Sequence, residues 1–361
     1  MAMGEYSGFI DEERRSVPTP DSLVDGDGSC VFGTFEKEFR SMDLVRAKKP
    51  TSAPQWMNRQ RLTLWEACEV HVKEGILLAA VSDMAVFGLY MILFWDRETN
   101  RIWYFSDSMR SGAVHIAPNL LDGSVTMAAK KGRMVKFVNN FEKGEAGLFG
   151  KSADGPDEIE FSFRLKKEAE PSVVSIPFGK NRPLYTEKEF FRAEGRITLN
   201  GRPLTVDGDS AAVIDDHRGF YPRKMHYDWT AALGRTVIGG EKKFLSFNLT
   251  ANQSSDPEKY NENLIFRREG NSLLPPAVFT RSAETKDFHG ESVWEIRDRQ
   301  DMVHVDFHVK AVHGMVTHAA VIRIDYYIVF GELSGYLRDE DGNKVLLDGM
   351  PGIGEDKTML F

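Results

Sequence analysis

Short apolar runs separated by turn residues recur along almost the whole chain, and this rhythm narrows the possible folds more than any other feature. Gly75–Val81 reads as a buried strand, after a shorter run at Val31–Phe35. Phe87–Trp95 and Arg101–Phe105 flank Asp96–Asn100, a loop of hairpin length. Ser124–Ala128, Arg133–Asn139, Glu158–Leu165 and Ser172–Pro177 continue the series. A break at Gly179–Tyr185 opens a second series: Phe190–Leu199, Phe244–Thr250, Leu264–Arg268, Val293–Arg297, Met302–Val309, Val321–Tyr336 and Lys344–Asp348. Strands spaced roughly 8–12 residues apart with turns between them mark a barrel or sandwich. Strand–helix alternation and a glycine-rich phosphate loop are absent, which argues against a dinucleotide-binding or α/β-barrel fold. The expected architecture is all-β: two tandem antiparallel β-barrel or sandwich domains with few short helices. A polar lead-in spans 1–28, an N-terminal β domain 29–180 and a C-terminal β domain 181–361. Arg61–Glu66 reads as a helical turn, and Asp348–Asp356 as a tight closing loop with Glu355 and Asp356 at the surface.

Composition limits the function. An apolar share of 42% lets the chain bury a real core. A net charge of −8 argues against nucleic-acid binding, which needs a basic footprint, and against adsorption to anionic membranes. Two cysteines, Cys30 and Cys68, make no disulfide framework, so a reducing, cytoplasmic setting is expected. Met1–Arg15 carries charges of mixed sign and no signal-like apolar core, and Met84–Trp95 is too short to span a bilayer, so no stable membrane insertion is expected.

The densest chemistry lies in Ala212–Trp229. An apolar strand there runs into Asp215-Asp216-His217-Arg218-Gly219, then Tyr221, Arg223, Tyr227 and Trp229. Strand alternation puts Val213 and Asp215 on one face and Ile214 and Asp216 on the other. Asp215, Asp216, His217 and Tyr221 are the candidate catalytic groups, because a carboxyl beside an imidazole and a phenol can donate and recover a proton. Burial would raise such a carboxyl's pKa and Arg218 or Arg223 would lower it. The competing reading is a polar corner in which Asp pairs with Arg. Arg218, Arg223, Tyr227 and Trp229 are candidate ligand contacts, as are Asn248, Thr250 and Asn263. Alternation puts Asn248, Thr250 and Asn252 on one face of their strand, where they can orient a ligand or simply meet solvent. His304, Asp306 and His308 share a strand face, but neighbours two apart are about 7 Å apart, too wide for one ion. No metal and no cofactor is expected.

The pattern Arg192-Ala193-Glu194-Gly195, then Ala212–Trp229, Phe247–Thr250 and Asn261-Glu262-Asn263, resembles an uncharacterised bacterial group, domain-of-unknown-function family 2804. More remotely it is similar to the carotenoid-hydratase and AttH-like proteins. That resemblance implies tandem lipocalin-like (calycin) domains with a ligand cavity, and hydratases or cyclases in which an Asp protonates a carbon–carbon double bond. The expected function is therefore a cofactor-independent enzyme that binds an apolar small molecule in a β-barrel cavity. Its reaction would be acid/base hydration, dehydration, isomerisation or cyclisation at a double bond. The alternative is a non-catalytic carrier or sensor of a hydrophobic ligand.

Overall fold

The computed structural model describes residues 6, 10–238, 240–319 and 322–360. Val321, where one expected strand begins, and most of the lead-in before Ile10 lie outside the described residues. The chain divides into two compact units. The first holds Arg15–Phe94 and Trp103–Tyr221. The second holds the chain from Pro222 on, together with the hairpin tip Trp95–Ile102 and the described residues before Arg15. The expected boundary near 180 is thus displaced to 221. The reason is that Pro183–Leu199 and Ala211–Gly219 are central strands of the first sheet rather than the start of a second one.

That sheet runs in the order Ile102–Arg110, Phe87–Asp96, Gly75–Asp83, Thr63–Val72, Ala211–Gly219, Pro183–Leu199, Asp157–Lys167, Glu145–Asp154, Arg133–Asn140, Ser124–Lys130, Val114–His115. Its inward residues share one core. Val70, Leu77, Ile92, Phe137, Phe161, Phe163, Phe191 and Ile214 come from seven different strands and are all but inaccessible. The sheet is therefore curled into a nearly closed barrel. Alternation explains it, since Ile159, Phe161, Phe163 and Leu165 point in while Glu158, Glu160 and Arg164 point out. Leu23, Val24, Phe35 and Phe39 close a smaller apolar cluster, so the segment read as a lead-in contributes Leu23 and Val24 to packing here and Ile10 to the core of the second unit.

The second unit's sheet runs Ser272–Leu273, Leu264–Arg267, Glu241–Ala251, Lys224–Ile238, Lys344–Leu346, Ile322–Arg338, Val303–Ala319, Ser292–Arg297, Val278–Arg281. Met350–Leu360 pairs with both Lys224–Ile238 and Ile322–Arg338. Its core gathers Phe247, Leu249, Trp294, Phe307 and Val329. The expectation of two antiparallel β units with few short helices is met. Two local expectations are not. Thr63–Val72 is a strand where Arg61–Glu66 read as helical, the only α-helical turn there being Asn58–Arg61. Met350–Leu360 is a strand, not a closing loop. Among the described residues no helix is long and apolar enough to cross a membrane.

Candidate active site

Asp215-Asp216-His217-Arg218-Gly219 is the second half of the strand Ala211–Gly219, not a corner. It is flanked by Thr63–Val72 on one side and Pro183–Leu199 on the other. Asp215 faces Lys188 and Ala67 across the ladders, and Asp216 faces Glu187 and Glu66. The strands present acidic groups on both faces, and the two faces differ sharply.

The inward face continues the rows Ala212, Ile214 and Cys68, Val70 of the barrel core. Onto it project Glu66, Tyr185, Glu187, Glu189, Asp216 and Arg218, all buried, with Glu38 beside them. Arg218 forms a two-pronged pair with Asp216, Nε to Oδ2 at 2.7 Å and Nη2 to Oδ1 at 3.1 Å, and donates to the Pro118 carbonyl at 3.0 Å. Tyr185 donates its hydroxyl to Glu187 at 2.8 Å. The Asn139 amide donates to Glu66 at 2.8 Å, and the Leu120 N–H to Glu38 at 2.5 Å. Burial dominates the titration. It pushes Glu66 up to about 8, reinforced by the Asp216 charge. It also carries Glu38 to about 8. Glu189 rises to about 7, although Lys167 opposes the shift. Glu187 rises well above the carboxylate range through burial and its acidic neighbours Glu38, Glu189 and Asp216. Burial raises Asp216 too, against the pull of Arg218. Burial thus favours the protonated form of the carboxyls on this face.

The opposite face carries Asp215 with Lys188 at 3.1 Å and His217 at 2.9 Å, both to Oδ1. Burial pushes Asp215 up, but His217 and Lys188 outweigh it and bring it down to about 2. His217 also meets Thr186 Oγ1 and Lys188 Nζ at 3.1 Å each. The Trp65 ring lies nearly parallel to both His217 and Tyr221, with centroids 4.8 and 5.5 Å away. This pairing favours the carboxylate form of Asp215. Of the two carboxyls singled out in sequence, Asp216 sits among the proton-holding groups.

A profile of a domain of unknown function, DUF2804, matches residues 14–361. The chain belongs to the DUF2804 family. No curated protein matches it. Among solved structures, kievitone hydratase from Nectria haematococca is similar at 14% identity and a TM-score of 0.47, with 82% of this chain and 88% of that chain covered. A likeness at this level settles neither fold nor chemistry.

The remaining candidate residues of this DUF2804 chain divide between structural roles and the second unit. Arg223 is exposed in the link between the strands ending at Gly219 and beginning at Lys224. Tyr227 and Trp229 lie on one face of Lys224–Ile238. Tyr227 donates to Glu355 at 2.6 Å, and the Trp229 indole to Asn248 Oδ1 at 2.6 Å. Asn248 is buried, not solvated, and its amide donates to Thr250 Oγ1 at 3.2 Å and to the Glu262 carbonyl at 3.0 Å. Asn263 accepts from the Thr250 N–H at 2.7 Å and donates to the Pro275 carbonyl at 3.0 Å. These amides tie the loop after Ala251 to its strand, which uses the hydrogen-bonding capacity they would need to hold a ligand. Glu355 and Asp356 are half-buried rather than superficial. Glu355 accepts from Tyr227 and Tyr326, and Asp356 from Thr285 at 2.7 Å.

Sequence reasoning missed Glu38, Glu66, Glu187 and Glu189. The signal was Thr186-Glu187-Lys188-Glu189 set between Pro183-Leu184-Tyr185 and Phe190-Phe191, a charged patch within an otherwise apolar run. It also missed His226, Asp228 and Asp356, whose ligand atoms lie within 4.8 Å of one another. The Arg281 guanidinium pairs with Asp228 and lies 3.7 Å from Asp356, so a cation already balances that set. His304, Asp306 and His308 are half-buried on one strand face. His304 stacks on Tyr336 and His308 meets Ser334 at 2.8 Å.

Proposed function

We propose that this chain is an enzyme that moves protons at a carbon–carbon double bond of a mostly apolar small molecule, with the inward carboxyls of the first unit as its reagent. The observation that carries the reading is the convergence of five buried carboxyls, Glu38, Glu66, Glu187, Glu189 and Asp216, beside a single buried guanidinium, Arg218. A carboxyl kept protonated at neutral pH by an apolar site is what alkene protonation requires. Glu187, held neutral, is the acid. Asp216, its cross-strand neighbour, is the anion that Arg218 balances. Glu187 gives its proton to one alkene carbon, and water adds to the other. That water loses a proton to Asp216, and proton exchange between the neighbouring carboxyls restores the starting state. The reverse sequence is dehydration, and loss of a proton from an adjacent carbon instead gives the isomer. The faces of Tyr185 and Phe191 supply electron density to the cationic intermediate. Asp215, His217 and Tyr221 hold the strand from its other face.

The test begins with native mass spectrometry of the protein from a lipid-rich lysate and extraction of what it holds. That molecule and its hydrated or dehydrated forms then serve as substrates. Glu187→Gln and Asp216→Asn should each reduce kcat by about 100-fold or more, the usual weight of a positioned acid or base. Unchanged turnover in both variants would sink the mechanism. A stoichiometric ligand that the protein returns unaltered would make it a carrier or sensor instead.

A further inference from the structure

Leu44–Arg61 departs from the rest of the chain in charge. It carries Arg46, Lys48, Lys49, Arg59 and Arg61 and no acidic residue, in a chain of net charge −8. Its fold is fixed from within. Leu44 and Ala47 are buried in the small apolar cluster. The Gln55 amide donates to the Ala47 carbonyl at 2.7 Å and accepts from the Lys49 N–H at 3.0 Å. The Asn58 amide donates to the Val45 and Ala47 carbonyls at 2.9 and 2.8 Å. Two short 3-10 turns and one helical turn result, with their charged side chains turned outward. Trp56 is 76% exposed on this segment, and Val45 is exposed beside it.

Neighbouring loops extend the same face. Arg59 meets Asp83 at 2.5 Å. From Asp83 a tight turn through Ala85, at φ 66°, lifts Val86 until it is 78% exposed. The Asn181 amide donates to the Lys48 carbonyl at 2.8 Å, and Arg182 to the Pro50 carbonyl at 2.9 Å, bringing exposed Lys180 alongside. Asp83 balances only Arg59, and Asp27 lies near Lys48. Exposed Asp25 and Asp43 border Arg46 and Lys48 as well, so the positive excess of this face comes from Lys49, Arg61 and Lys180.

An exposed indole ringed by lysine and arginine has the chemistry of a lipid–water boundary. Indoles settle at headgroup depth, and basic side chains are drawn to anionic lipid. Trp56 alone can stack on a base, but exposed Val45 and Val86 cannot and gain instead from the apolar boundary of a bilayer, which favours lipid over nucleic acid. The net charge does not forbid docking, because charges further away than about 8 Å are largely screened at physiological salt. We propose that this face of the first unit docks reversibly on an anionic lipid surface, with Trp56 and Val86 in the headgroup layer and Arg46, Lys48, Lys49 and Arg61 against lipid phosphates. The proposal stands independently of the proton chemistry. It places the protein where apolar small molecules collect.

The full chain is sedimented with vesicles of phosphatidylcholine alone and of equal parts phosphatidylcholine and phosphatidylglycerol. Binding is expected to the mixed vesicles only, and to fall with added salt. Lys48→Ala combined with Lys49→Ala should weaken it by roughly fivefold per lysine. Trp56→Ala should weaken it as well, and Trp56→Phe should remove a blue-shifted emission that appears on binding. These side chains are exposed, so thermal melts of the variants should match the parent. Absence of binding to mixed vesicles, equal binding to both vesicles, or binding that ignores both Lys48/Lys49 and Trp56 would overturn the proposal. So would a preference for single-stranded RNA over the vesicles.

Discussion

Glu66 illustrates how one side chain reports the character of the whole inward face. Its folded pKa is raised to about 8 from an ordinary value near 4.5, so between those limits the folded chain binds a proton that the unfolded chain has lost. Stability therefore falls as pH rises through that window. Glu38, at about 8, and Glu189, at about 7, add to the same slope. Asp215 works in the opposite sense at the acid end. Its folded pKa of about 2 contributes stability that is present above its ordinary value of 3.8 and is lost as pH falls through about 2. Thermal melts should show the midpoint declining from about pH 5 to pH 8, since displacing a pKa by one unit between the unfolded and folded chain corresponds to about 1.4 kcal/mol. Glu66→Gln keeps an acceptor for the Asn139 amide and cannot ionise. It should flatten the decline and be the more stable protein at pH 8. A variant that melts with the parent's full pH slope would show that Glu66 ionises freely in the folded chain.

At the scale of the element, Met350–Leu360 shows where pattern and packing part company. Gly349, Gly352 and Gly354 around Pro351 read as a loop, because glycine and proline normally punctuate strands. Gly354, however, is placed for space rather than for turning. A Cβ there would lie 2.9 Å from the Trp229 carbonyl oxygen, 3.0 Å from the Phe307 ring and 3.1 Å from the Trp294 ring. The strand passes over two aromatic side chains that only a glycine leaves room for, and that crowding depends on residues some fifty positions away, beyond any local rule. Gly354→Ala should destabilise the second unit by about 1–3 kcal/mol, the usual range for overpacking, read as a lowered denaturation midpoint at unchanged slope. The same limit hid Thr63–Val72, where Trp65 and Glu66 in a mixed polar run gave no clean alternation. Clean alternation made Asp157–Lys167 legible, and Val303–Ala319 as far as Val309. The opposition of Asp215 to Asp216 was legible too. What burial would do to each carboxyl was not, since it depends on Glu38, Glu187 and Arg218 converging from separate stretches.

For the whole molecule, the decisive fact is that chain order and sheet order differ. Ala211–Gly219 pairs with Thr63–Val72, and Pro183–Leu199 joins it to Asp157–Lys167. The middle of the first sheet is thus the last part of that unit to be made, and closing it needs contacts of long sequence separation, which folds slowly. A division at the Gly179–Tyr185 break is attractive in sequence because the turn residues there are real. It would nonetheless remove the two central strands. A fragment of 29–180 would leave the ladders of Thr63–Val72 and Asp157–Lys167 open, and it would strip Phe191, Ala193, Ile197, Ala212 and Ile214 from the core. It should show no cooperative melt and should aggregate through its open edges. A fragment of 15–221 keeps every strand pairing of that sheet and should unfold cooperatively. Circular dichroism melts of the two fragments separate the cases. A cooperative transition in 29–180 would mean that the barrel core forms without its central strands. The carboxyl cluster would then be something two later strands complete, not something on which the first unit is built.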